Sequence, residues 1–344
     1  MDYLSACVIF QIVTKIELCF WTAPCFSFFK FRVINISMQT TLKTPIVFTG
    51  WGLHTGRLAQ LTICPAMADQ GFWFCRTDIS VGNNLVQARW DAVQPSSLCT
   101  TLANKDGVTV STVEHLLAAL VGCGVHNALI EIDGPEVPIL DGSALAFVRG
   151  LVRCGLRVLS VPVHALEVLK PVSIMSGGST ATLVPFDCLR IDFQINFDDS
   201  AIGSQYKSLR LVNSSFAREL CDSRTFCCKG DIDRMQANGK ALGGSPGDNA
   251  VVFDGALVAS PGGLRHPDEP LRHKMLDAVG DLALAGVPLI GHYTGVRAGH
   301  SLTNRLLNKL FTTSGATRMI TCDRRITERL PGFGLVWEEI PVVV

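Results

Sequence analysis

Charge of one sign is what this chain most plainly lacks. Its 344 residues carry 30 Lys and Arg against 30 Asp and Glu. No basic excess points to a nucleic-acid partner, and no run of like charges marks an interaction tail. Apolar runs of 18 residues are also missing, so no transmembrane helix is predicted. The 13 cysteines are odd in number and include no Cys-x-x-Cys pair. That spacing excludes a regular disulfide framework and a cysteine-built zinc site. It fits reduced, mostly buried thiols in a reducing compartment. Gly50-Trp51-Gly52-Leu53-His54-Thr55-Gly56 imitates a dinucleotide fingerprint, but its third Gly comes one position late. No Gly-Lys-Ser/Thr phosphate loop occurs, and no His-Glu-x-x-His, which counts against zincin peptidases.

What is present is a hydrophobic content of 48% beside a charged content of 17%. That balance belongs to a folded chain with a sizeable core, and the length suffices for two domains. Strands are predicted at Pro45–Phe48, Gln60–Cys64, Gly71–Cys75, Ala128–Ile132, Leu189–Phe197, Ala250–Phe253 and Leu289–Val296. Helices are predicted from Ser111 or Thr112 to Val121, and over Ser143–Cys154, Val212–Leu220, Gly230–Asn238, Pro270–Ala285 and Leu302–Leu310. Strands come in adjacent runs rather than strict alternation with helices, which favours α+β over a doubly wound sheet. A shift near Ser160–Val163 suggests an N-terminal domain over 38–161 and a C-terminal domain over 162–315. Residues 316–344 then form a tail. Residues 1–37 are an atypical extension. Asp2 sits where a signal peptide needs positive charge, and Lys15, Glu17 and Lys30 break its apolar segments. We expect the functional chain to begin at Met38.

Three short pieces carry the chemistry. On the 270–285 helix, His273, Asp277 and Asp281 recur every four residues and so share one face. This stripe is either a solvated polar face with a His–Asp pair or a set of metal ligands. Glu114-His115 lies in the apolar segment VSTVEHLLAAL. Ser111 with Glu114 three residues on has the spacing of a capping box, which says nothing of His115. His115 is either a satisfied core histidine or a ligand, with Glu114 able to reach a water beside the metal. Gly299-His300 precedes a helix. His300 is either an ordinary loop histidine or a catalytic acid whose pKa Asp281 would raise. Thr225 offers a hydroxyl that could polarise a carbonyl.

The segments GLHTG (52–56), LCTTL (98–102), VSTVEHLLAAL (110–120), EVPILDGSA (136–144), SRTF (223–226), LGGS (242–245), RHKMLDAVGDLALAG (272–286) and GHSLTN (299–304) together resemble UDP-3-O-acyl-N-acetylglucosamine deacetylase. The resemblance runs from about Thr41 to about Leu310. It implies two similar α+β domains, each with helices on a sheet, and an active site between them. It implies one catalytic zinc, for which Fe2+ can substitute, held by His115, His273 and Asp277. Glu114 would be the general base. His300, oriented by Asp281, would be the acid or charge stabiliser, and Thr225 would assist the tetrahedral intermediate. Lys274 and Phe197 would face the nucleotide, with His54 near the site. Phe226, Ile232 and Met235 would line the acyl passage. The chain departs at Arg297, where a Lys is common, and at Asn196, where an Asp can occur; Cys99 matches a family cysteine near the metal.

The implied reaction hydrolyses the acetamide of a UDP-3-O-acyl-N-acetylglucosamine and commits it to lipid A synthesis. The partner is then a small UDP-acyl-sugar, with no nucleic acid. The expected state is a monomer in the bacterial cytoplasm, close to the inner membrane surface without insertion; a mitochondrion is the alternative were the source a plant. Two rivals are another zinc amidohydrolase and a silent nucleotide-sugar binder. A silent relative need not keep Glu114 and His300, and a structural zinc site wants a fourth protein ligand.

Overall fold

The computed structural model describes residues 37–245 and 247–343. The expected start at Met38 opens the first strand, Met38–Leu42; the extension before Ser37 lies outside the described residues. Seven α-helices are described: α1 (Glu114–Gly122), α2 (Leu145–Cys154), α3 (Ser215–Glu219), α4 (Lys229–Ala237), α5 (Glu269–Ala283), α6 (His300–Thr312) and α7 (Arg324–Thr327).

Two sheets organise the chain. The first has five strands in the order Ile46–Trp51, Leu58–Pro65, Ala128–Ile132, Phe72–Arg76 and Leu85–Gln87, with only the pair Phe72–Arg76 and Ala128–Ile132 parallel. The second has seven strands around Leu289–Val296, which runs parallel to Leu189–Asn196 and antiparallel to Ser179–Val184. Alternation is clean in Leu58–Pro65, Phe72–Arg76 and Ala128–Ile132 and broken in the second sheet, where Asp192 and Ile290 are buried as well. Leu61, Ile63, Phe74, Ile130 and Ile132 of the first sheet and Ile191, Phe193 and Tyr293 of the second point into one continuous core. Period-2 burial of this kind is what half-covered mixed sheets require. The expected α+β class is therefore what the structure shows.

Helices α1 and α5 are buried almost all round. Helix α1 is apolar on nearly every side, as an interior helix is, and it packs against α5, whose buried face includes a polar stripe. Gly280 makes that packing close. A Cβ at position 280 would overlap the carbonyl oxygen of Glu114. Only a residue without a side chain lets the first turn of α1 rest on α5 there. The same contact sets His115 opposite His273 and Asp277.

Several boundaries differ from the sequence reading, each for a local reason. The helix expected from Ser111 or Thr112 begins at Glu114, with Val113 as its cap residue and no side-chain cap bond. Ser111 belongs instead to strand Thr109–Ser111 and bonds the Pro135 carbonyl through its hydroxyl at 3.2 Å. The capping-box alternative therefore fails. The helix expected over Val212–Leu220 shrinks to α3, because Asn213 and Ser214 hold φ of +50° and +61°. Helix α6 begins at His300 itself, two residues earlier than expected. The segment after residue 315, expected as a tail, contains strand Thr317–Thr321, which pairs antiparallel with His164–Val168 in the second sheet.

Gly280→Ala is expected to push α1 away from α5. A fall of about 1–3 kcal/mol in unfolding free energy is the usual scale for forced overpacking. Denaturant melts would measure it, and metal affinity should weaken in the same variant, because His115 moves with α1.

Candidate metal centre and active site

Each site residue sits at the end or along the inner face of an element. Glu114 and His115 open α1; His273, Asp277 and Asp281 lie along α5; His300 opens α6. All but the half-buried His300 are deeply buried, with Glu114 at 3%, His273 at 3%, Asp277 at 4% and Asp281 at 1% exposure. The solvated polar face considered for α5 is thus excluded. A buried charged stripe is costly unless something pairs with it.

Three atoms supply the reason. His115 Nε2 lies 3.4 Å from Asp277 Oδ1, and His273 Nε2 lies 3.4 Å from the same oxygen. Ligands bound at 2.0–2.2 Å in a tetrahedron sit about 3.3–3.6 Å apart. Asp277 Oδ1 is buried without a hydrogen-bond partner. The His273 ring donates from Nδ1 to the Ser223 carbonyl at 3.0 Å, which leaves the Nε2 lone pair facing the group. Lys274 Nζ donates to Asp277 Oδ2 at 2.6 Å, so only Oδ1 is free for an ion. His115, His273 and Asp277 are also the group of described residues whose ligand atoms all lie within 4.8 Å of one another. The donor set fits a metal ion.

A second set of bonds surrounds the base and acid candidates. Glu114 Oε2 accepts the backbone N–H of Thr100 at 3.1 Å, and Glu114 Oε1 lies 3.7 Å from His300 Nε2. His300 Nδ1 meets Asp281 Oδ2 at 3.0 Å. Burial raises the Glu114 carboxyl to about 7, against the lowering pull of His300. Burial alone would lower His300. The carboxylates of Asp281, Glu114 and Asp277 outweigh it and raise the imidazole to about 10. His273 is pushed down to about 4, by burial before all else, which keeps it neutral and able to ligate. Burial opposes ionisation of Asp277, yet His273, Lys274 and His300 hold it well below the usual carboxylate range.

The remaining candidates line two joined cavities. One, of about 470 Å³, holds the metal-fitting group and is walled by His54, Phe197, Thr225, Lys274 and Arg297. The other, of about 180 Å³, opens from it between Phe226, Ile232, Met235 and Val252. Phe226 packs edge-on against both Phe197 and His273, with ring centres 5.5 and 6.1 Å away. It forms the partition between the two. Lys274, expected toward the nucleotide, directs its ammonium to Asp277 while bordering the larger cavity.

Sequence reasoning missed three residues. Thr100 touches Glu114 through its N–H and donates its hydroxyl to Asp281 Oδ1 at 2.5 Å. Its only signal was its place beside Cys99 in LCTTL. The buried pair Arg224 and Glu269 was missed as well: Arg224 Nε and Nη2 meet the two Glu269 oxygens at 2.9 and 3.1 Å. This fork ties the Ser223–Phe226 segment to the start of α5. It therefore fixes the Ser223 carbonyl that orients His273. Glu269→Ala should cost about 3–5 kcal/mol by leaving Arg224 buried and unpaired, read as a lowered midpoint in thermal or denaturant unfolding.

A profile of the UDP-3-O-acyl N-acetylglycosamine deacetylase family matches residues 39–312. UDP-3-O-acyl-N-acetylglucosamine deacetylase of Phenylobacterium zucineum is 45% identical over 290 residues, which is 84% of this chain and 99% of that protein. The enzyme of the same name from an Anaeromyxobacter species is 44% identical over 295 residues, covering 85% of this chain and 95% of the relative. The one from Histophilus somni is 41% identical over 295 residues, 85% and 95% of the two chains. With the site geometry and these likenesses together, the chain belongs to the UDP-3-O-acyl N-acetylglycosamine deacetylase family.

Proposed function

We propose that the protein hydrolyses the acetamide of UDP-3-O-acyl-N-acetylglucosamine at the His115–His273–Asp277 centre, releasing acetate and the free 2-amino sugar for lipid A synthesis. The observation that carries this reading is one Asp277 oxygen, buried and unpartnered, equidistant from two imidazole nitrogens. The ion is zinc, with Fe2+ as a substitute. Bound there, it would supply Lewis acidity, lowering the pKa of a water toward 7 and polarising the acetamide carbonyl.

The side chains then divide the proton work. Glu114, with one oxygen fixed by the Thr100 N–H, turns Oε1 toward the space that it shares with His300. It takes the proton of the attacking water. His300 carries its proton at neutral pH because three carboxylates face it. Its Nε2 faces the same space and stabilises the developing oxyanion. The leaving nitrogen gains its proton from His300 or from Glu114 acting twice. Thr225, at the junction of both cavities, supports the oxyanion through its hydroxyl. Lys274 holds Asp277 in its ligating rotamer and offers a charged flank to the nucleotide. Phe197 presents a ring for uracil, and His54 borders the site. The narrower cavity past Phe226, with Ile232 and Met235, takes the acyl chain.

Both halves of the site come from one chain, which supports action as a monomer. No helix among the described residues is long and apolar enough to cross a membrane. A charged UDP-sugar stays on the side of the membrane where nucleotides are made. This favours the bacterial cytoplasm, with the acyl group drawing the enzyme to the inner membrane surface.

Two variants separate ligand from acid. His273→Ala should lose both metal and acetate release. His300→Ala should keep the metal and lose about 100-fold or more in rate. Full metal content in the first variant refutes the ligand assignment. The pH profile of kcat/KM should be bell-shaped. Its acid limb lies at or below about 7, where Glu114 gains a proton and stops acting as base, since a bound cation can only lower that value. Its alkaline limb lies at or below about 10, where His300 loses its proton, since the same cation lowers that value too. His300→Gln should abolish the alkaline limb alone.

A further inference from the structure

Four residues close a ring. Glu114 and Asp281 each have two carboxylate oxygens, and each divides them the same way. One oxygen goes to Thr100: Glu114 Oε2 to its N–H at 3.1 Å, and Asp281 Oδ1 to its hydroxyl at 2.5 Å. The other faces His300: Glu114 Oε1 lies 3.7 Å from Nε2, and Asp281 Oδ2 lies 3.0 Å from Nδ1. Thr100 is 1% exposed, between the loop at Cys99 and the strand Thr101–Ala103. Its hydroxyl has a single proton. Asn304 on α6 donates Nδ2–H to Thr100 Oγ1 at 3.2 Å, which turns that proton toward Asp281.

We propose that Thr100 is a positioning residue that sets the base Glu114 and the acid His300 in register. It rests on the reading of those two residues given above. Glu114 comes from α1, Asp281 from α5 and His300 from α6, so no single element fixes their relative placement. Thr100, from a fourth segment, binds the first two at once. The third is then held through Asp281. Carboxylates only accept hydrogen bonds, so two of them cannot hold each other. They need a donor between them, and Thr100 supplies two donors from one residue. The N–H arm survives any ordinary substitution. The hydroxyl arm can be removed alone.

Thr100→Val keeps the shape and deletes the hydroxyl. Displacement of Asp281, and with it His300, should lower kcat about 10–100-fold, because small misplacements of reacting groups cost that much. KM should stay within about twofold and metal content at one ion per chain. Thr100→Ser should restore most of kcat. Asn304→Ala, which frees the hydroxyl proton without touching either carboxylate, should lower kcat less. Its effect should not add to that of Thr100→Val. Thermal melts on every variant separate folding from positioning. Unchanged kcat in a folded Thr100→Val overturns the proposal, as does loss of the metal or a rise in KM at constant kcat. Should Thr100→Val not fold, an Asn304→Ala enzyme with full kcat overturns it equally. Failure of the unsubstituted enzyme to release acetate sinks the reaction itself, and this proposal with it; full activity in both defines failure of this proposal alone.

Discussion

The seat of α1 on α5 at Gly280 is the constraint from which the rest of the site follows. The two helices come from different halves of the chain, and each is buried on nearly every side. Their contact is close enough that a methyl group at position 280 has no room. It happens one turn from Asp277 and one residue from Asp281. The first turn of α1 therefore delivers Glu114 and His115 to the polar stripe of α5. A looser crossing would part His115 from Asp277, and the buried charge on α5 would then weigh more heavily on stability.

Electrostatics divides that cluster into two functions although its members nearly touch. Neutral His273 and ionised Asp277 suit cation binding. Protonated His300 and a Glu114 poised near neutrality suit proton transfer. The division comes from local partners. A backbone carbonyl opposite His273 stabilises the N–H tautomer without adding charge. The carboxylate of Asp281 opposite His300 adds charge and favours the cation. Two histidines on one site thus titrate far apart because burial outweighs the single carboxylate beside His273, whereas three carboxylates outweigh burial at His300.

Much of this was legible in the sequence, and the unread parts share a cause. The stripe His273, Asp277 and Asp281 follows from helical periodicity, which is local. So do the strands Ala128–Ile132 and Leu289–Val296, whose β-branched and aromatic residues favour extended chain. The convergence of α1, α5 and α6 was read only through resemblance, since no period links residues 114, 277 and 300. Thr100 stayed invisible because its two carboxylate contacts span 14 and 181 positions in the chain. Arg224 and Glu269 were missed for the same reason, being 45 positions apart. The capping-box spacing misled. Ser111 had a strand to complete and a carbonyl to bond, and tertiary demand overrode a local pattern.

The central claim is that a metal held by His115, His273 and Asp277 makes acetamide hydrolysis possible here. The most direct measurement is acetate release from UDP-3-O-acyl-N-acetylglucosamine before chelation, after it, and after return of Zn2+, with metal content determined at each stage. The expected result is one ion per chain, loss of activity with the ion, and recovery with it. Undiminished acetate release from protein shown to be free of metal would contradict the account.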